Sequence, residues 1–181
     1  MPYISQNTDL PGIIGLMNYR TDTGKFIAEF TEMLLRGDSP LTRGEREVIS
    51  TYVSLLNGCN FCRAAHESIA RKVLAEESNL VDIIYHDLDS ANISEKLKIL
   101  LKIAAKVQKS GHDVTADDIQ QAKLQGATDR EIHDTVLISA AFCMFNRYVD
   151  GLSAATPEDP SVYEQISAQI VKSGYVSVME A

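Results

Sequence analysis

Residues 41–76 read "LTRGEREVISTYVSLLNGCNFCRAAHESIARKVLAE", and the fold turns on how this stretch is punctuated. Thr42 is followed three residues later by Glu45, the capping-box spacing in which each side chain satisfies the other's backbone amide. Val48, Ile49, Tyr52, Val53, Leu55 and Leu56 then recur along an apolar helix face. Asn57-Gly58 stops that helix, and a second one is expected to start at or near Cys59 and run on toward Glu76. Helix, stop and helix, with no alternating apolar pattern between them, set the class: all-α.

The flanking sequence keeps to the same period. Upstream, an extended arm over residues 1–22 is expected to lead into an amphipathic helix marked by Phe26, Ile27, Phe30, Met33 and Leu34 and ended at Gly37. Downstream, "NLVDIIYHDL" predicts a short helix. "SEKLKILLKIAAKVQKSG" predicts another, capped by Ser94, with Gly111 beyond its end. "TADDIQQAKLQG" opens on Thr115 and Asp118 and closes at Gly126. "TDREIHDTVLISAAFCMFNRYVDG" is the most apolar segment and is expected to be central, while "PEDPSVYEQISAQIVKSG" supplies a last helix. The closing "YVSVM" is read as a tail. Laid over residues 127–146, residues 41–60 match without a gap, pairing Thr42 with Thr128, Glu45 with Glu131 and Asn60 with Asn146. This suggests a duplicated helical unit, although helices with the same cap resemble one another by chance, and the function does not rest on it.

The 181 residues suit one domain, 1–181, able to bury a core without disulfide staples. No apolar run approaches the roughly 20 residues of a membrane helix, and "MPYISQNTDLPG" has neither the basic nor the apolar part of a signal peptide. A soluble, cytoplasmic protein without a membrane partner is therefore expected. A net charge of −8 and the lack of a basic run argue against nucleic acid. Apolar helices at both ends of the chain leave faces that one subunit does not cover, so a homo-oligomer is expected.

Three cysteines are too few for a secreted disulfide framework, and in a reducing compartment a close pair points to metal or redox chemistry. Cys59 at the helix entrance and Cys62 in its first turn have Cβ atoms roughly 5 to 6 Å apart in a regular helix. A disulfide needs about 3.5 to 4.5 Å, which a half-helical cap conformation at Cys59 can provide. The positive end of the helix dipole favours thiolate there. His66 lies one turn beyond Cys62 on the same stripe, where an imidazole can take or return a thiol proton. Glu47, on the preceding helix, lies too far from the sulfurs for direct contact and would act indirectly or through helix crossing. A zinc site is set aside, because Cys59, Cys62 and His66 supply three ligands where structural zinc takes four. Cys143 is expected to pack as a small apolar group. His133 is read as a helix-surface residue or local hydrogen-bond partner, and His86 and His112 are given no role. Met144, Phe145 and Tyr148 are assigned to core or subunit contacts, with the roof of a pocket as the alternative.

Glu47, Cys59, Cys62 and His66 form the spacing E-x11-C-x2-C-x3-H, which resembles the pattern of alkylhydroperoxidase AhpD-like proteins within the carboxymuconolactone decarboxylase family. "LPGIIGLMNYR" (10–20), "LLRGDSPLTRGEREVISTYVS" (34–54) and "ATDREIHDTVLISAAFCMFNRYVDGL" (127–152) extend the resemblance to a peroxidase-related branch, over nearly the whole chain. It implies an all-α, single-domain AhpD-like bundle that forms oligomers. It also implies a thiol peroxidase acting on organic hydroperoxides, without cofactor or metal. In that scheme Cys62 attacks, Cys59 resolves the oxidised sulfur as a disulfide, His66 and Glu47 relay protons, and a lipoyl or thioredoxin-type dithiol is the reductant. Some members carry a histidine directly before the second cysteine, where this chain has Phe61, so a relay step assigned to that imidazole cannot occur here. Two other readings stand beside this one: a non-redox decarboxylase-like enzyme, and a non-catalytic, redox-sensing oligomeric module.

Overall fold

The computed structural model describes residues 2–5, 9–75 and 80–179. Its centre is the hairpin that opens the sequence analysis. The first arm, α3 (Arg43–Leu56), starts on the expected box: the Thr42 side chain accepts from the Glu45 amide at 3.2 Å, and the Glu45 carboxylate accepts from the Thr42 amide at 2.8 Å. The chain turns at Gly58, whose φ of +74° suits a residue without Cβ. The second arm, α4 (Asn60–Leu74), begins with Cys59 as its N-cap and ends with Ala75 in the left-handed conformation. Glu76, to which the helix was expected to run, and Asn79 lie outside the described residues.

Around this hairpin stand α1 (Gly12–Tyr19), α2 (Thr21–Arg36), α5 (Leu80–His86), α6 (Glu95–Lys109), α7 (Ala116–Leu124), α8 (Asp129–Gly151) and α9 (Pro160–Ser173), with short 3-10 turns at Leu88–Ser90, Gly111–Asp113 and Tyr175–Met179. The arm α3 packs against α2, α4, α6 and α8, and α9 covers α4. Surrounded in this way, α3 is buried on more than its apolar face, and every residue from Arg46 to Thr51 is inside. Its hydroxyls are accommodated locally: Ser50 and Thr51 donate to the Glu47 carbonyl at 2.8 and 2.7 Å. On α8, likewise central, Thr135 and Ser139 donate one turn back to Glu131 and Thr135, at 2.8 and 2.7 Å. The Thr128–Glu131 capping box repeats that of α3. Among the described residues no helix is long and apolar enough to cross a membrane.

Two sequence expectations need correction. Residues 12–19, expected as part of the extended arm, form α1. A helix of eight residues is marginal by itself. This one is held by burial of Ile14, Leu16 and Met17, by the Gly12 amide donating to the Ala155 carbonyl at 2.8 Å, and by the Phe61 ring against Gly12, where a Cβ would not fit. On α2 the expected Ile27, Phe30 and Leu34 pack on the core beside Ala28, Thr31 and Leu35, while Phe26 and Met33 are about 70% exposed.

Candidate active site

Cys59 and Cys62 sit at the mouth of α4 as unbridged thiols, 0% and 3% exposed. As N-cap, Cys59 leaves helical geometry (φ −80°, ψ 94°), and its side chain is hydrogen-bonded to that of Cys62. That bond, and after it burial, push the Cys59 thiol well above its ordinary range, and the Asp150 carboxylate acts in the same direction. Cys59 therefore stays protonated. The first-turn amides of α4 add positive potential at the position of Cys62.

His66 follows one turn later, its side chain 13% exposed. Because α3 and α4 run antiparallel across Asn57-Gly58, Glu47 comes to lie opposite His66 rather than opposite the sulfurs. The contact is direct: His66 Nδ1 is 2.9 Å from Glu47 Oε2, and Glu47 is 0% exposed. The other carboxylate oxygen, Oε1, accepts from the Tyr175 hydroxyl at 2.6 Å. Tyr175 also lies 3.4 Å from His66 Nδ1 and stacks on the imidazole with ring centroids 5.9 Å apart. Phe142 meets the imidazole edge-on at 4.7 Å, so the ring plane is clamped between two aromatic groups. An ionised carboxylate accepts only, so Nδ1 carries the hydrogen toward Glu47 and Nε2 is left as the basic nitrogen. Burial first, then the charge of Glu47, push the Tyr175 hydroxyl well up, which keeps it a donor.

Cys62, His66 and Tyr175 line one cavity of about 50 Å³, whose other walls include Ile13, Ile27 and Phe145. At about 10–15 Å³ per water centre, this holds a few waters or one small polar head beside an apolar tail. Phe61, 2% exposed and packed 5.8 Å from the Tyr163 ring, also faces the cavity, so the position before the second cysteine offers no proton carrier.

The four residues singled out from sequence thus meet as two pairs, Cys59 with Cys62 and Glu47 with His66, joined at the cavity through Cys62 and His66. Sequence reasoning missed Tyr175. It falls in the segment read as a tail, which instead forms a 3-10 turn packed on α2 with Tyr175 6% exposed. Cys143, expected in the core, is half-buried and lies 3.6 Å from the Asn57 amide. His133 bonds Asp134 at 2.9 Å on the helix surface, as expected, and Met144 is half-exposed. Among the described residues, no three His, Cys, Asp or Glu side chains come together in a metal-holding group.

The all-α bundle with this hairpin at its centre is similar to solved structures. An uncharacterized peroxidase-related protein from Silicibacter sp. TM1040 superimposes with a TM-score of 0.76 at 23% identity, over 85% of this chain and 78% of that one. An alkylhydroperoxidase AhpD core, a peroxidase-related protein from Ralstonia eutropha JMP134, gives 0.75 at 25% identity, over 86% of this chain and 80% of that one. The model of the carboxymuconolactone decarboxylase family matches residues 21–92, which include α2 and the whole cysteine hairpin. No curated protein matches. Over residues 21–92 the chain is thus similar to the carboxymuconolactone decarboxylase family, and its whole fold is similar to that of the two peroxidase-related structures.

Proposed function

We propose that this protein is a thiol peroxidase that reduces organic hydroperoxides through Cys62 and Cys59. One observation carries the reading: Cys62, in contact with Cys59, shares an apolar cavity with a histidine whose far nitrogen is fixed by a buried carboxylate. The Cys62 thiol gives its proton to His66, and the thiolate attacks the distal peroxide oxygen. The O–O bond breaks, Cys62 becomes a sulfenic acid, and the alkoxide leaves as an alcohol with the proton His66 returns. Cys59 then attacks the sulfenic sulfur, forming the disulfide and releasing water. An external dithiol of lipoyl or thioredoxin type takes up the oxidation, so the sum is hydroperoxide plus dithiol giving alcohol, water and a disulfide. The apolar walls suit an alkyl chain, and a homo-oligomer working in the reducing cytoplasm fits this chemistry.

The test is titration of the reduced protein with an alkyl hydroperoxide, counting thiols by mass. One equivalent is expected to be consumed as Cys59 and Cys62 join, and Cys62→Ser is expected to consume none. Intact thiols after excess peroxide refute the proposal. Oxidation that stops after one equivalent, even with a dithiol supplied, would leave a sensor rather than an enzyme.

A further inference from the structure

The C-terminal turn is built into the bundle from three sides. The Tyr175 amide donates to Glu32 Oε2 at 2.6 Å, the Asn18 side chain of α1 donates to the Val178 carbonyl at 3.1 Å, and Gln169 of α9 reaches the Ser177 carbonyl at 3.0 Å. The turn begins at Gly174, whose φ is +89° and whose Cα lies so near the Glu32 carboxylate that a Cβ would come within 2.6 Å of it. Three helices and a required glycine thus deliver one side chain, Tyr175, to the buried oxygen of Glu47 that His66 does not use.

We propose that Tyr175 is a positioning residue of the relay, holding the Glu47 carboxylate so that His66 keeps its hydrogen on Nδ1 and presents Nε2 to the cavity. The purpose of the relay rests on the peroxidase reading; the positioning itself does not. A fully buried carboxylate needs donors on both oxygens, and the bundle supplies one from α4 and one from the terminal turn. While both are present the negative charge is shared between them. Without the Tyr175 hydroxyl it is concentrated on the His66 contact, and the pair holds its shared proton to higher pH. The charged groups facing Tyr175 are Glu47 and Arg43 from α3, Glu32 and Arg36 from α2, and His66 from α4 when protonated. A single uncharged hydroxyl is removed from this set in Tyr175→Phe, and the ring that stacks on His66 stays.

The measurement is an NMR titration of the His66 ring nitrogens in the full-length protein, which needs no turnover. In Tyr175→Phe the midpoint is expected to rise by about one pH unit, the size expected for one hydrogen bond to a charged group. Site-specific 3-fluorotyrosine at position 175, a stronger donor of nearly the same shape, is expected to move it the other way. It also serves if the Phe variant does not fold. In peroxide turnover, the acid limb of kcat should follow the Phe shift, roughly tenfold slower at a given pH on that limb, with KM unchanged. Midpoints that stay together in both variants overturn the proposal, because a ring that only packs would move neither. If wild type consumes no peroxide and the opposed shifts still occur, the peroxidase reading fails and the positioning role stands. Peroxide turnover without the shifts has the reverse meaning.

Discussion

Replacing Glu47 by Gln separates the chemistry of the site from its contribution to folding. Glu47 is fully buried, and its oxygens take bonds from His66 at 2.9 Å and Tyr175 at 2.6 Å. Each is a bond to a charged group, worth about 1.5–3 kcal/mol. Glutamine keeps the shape and one accepting oxygen, so one bond survives in neutral form at about 1 kcal/mol, and the loss is roughly 2–5 kcal/mol. Against it stands the removal of a charge from the interior, which recovers several kcal/mol. The two nearly cancel. A net change within about 2 kcal/mol corresponds to a melting temperature within roughly 4–8 °C of wild type for a domain of this size. Turnover behaves differently: without the carboxylate the imidazolium is no longer stabilised and the tautomer is no longer set, and a loss of about 10²–10⁴-fold is expected. Peroxide consumption and thermal melting on the same preparation check both numbers. Activity within a few-fold of wild type refutes the relay, and melting lowered far beyond the window would make Glu47 a structural residue instead.

Cys59→Ser should complete a single oxidation and stop at a Cys62 sulfenic acid, detected as a dimedone adduct by mass spectrometry; an adduct on any other residue contradicts the assignment of roles. Asp118 is held down to about 2, first by Lys106 and then by the Thr115 amide. A lowered carboxyl contributes stability above its unfolded value that disappears as pH falls, so melting should lose a contribution below about 1 kcal/mol between about pH 4 and pH 2. Asp118→Asn should flatten that part of the profile, and an unchanged slope would count against the bridge. Leu101→Ala, at a site 0% exposed, should cost about 2–5 kcal/mol in denaturant unfolding, and a cost under about 1 kcal/mol would mean that the core closes over the gap. The expected homo-oligomer is checked by light scattering, where a particle of one subunit's mass refutes it.

Much of this protein is legible along the chain because helix caps and stops are local. Thr42 with Glu45, Thr115 with Asp118 and Thr128 with Glu131 act within one turn, so their boxes appear where their spacing puts them. The Cys59 and Cys62 contact is equally local, being set by the entrance of a single helix. The helix α1 was hidden because eight residues opening on Gly12 make a marginal helix by themselves, and burial of Ile14, Leu16 and Met17, with the contacts of Gly12 to Phe61 and Ala155, holds them in place. On α2 the same periodicity marks Phe26 and Met33 along with Ile27, Phe30 and Leu34, because it shows that a helix has apolar positions without saying which of them a neighbour covers.

The spacing of charges, caps and sulfurs was therefore enough to establish an all-α chain with a dithiol at a helix mouth and a histidine one turn on. The contacts around Glu47 were not contained in it. His66 meets Glu47 across 19 residues and Tyr175 meets Glu47 across 128, and both contacts depend on the register of packed helices and on where the Tyr175–Met179 turn is tucked. A hydrogen bond to a buried carboxylate is decided by distances of tenths of an ångström in three dimensions, and no periodicity along one dimension encodes them.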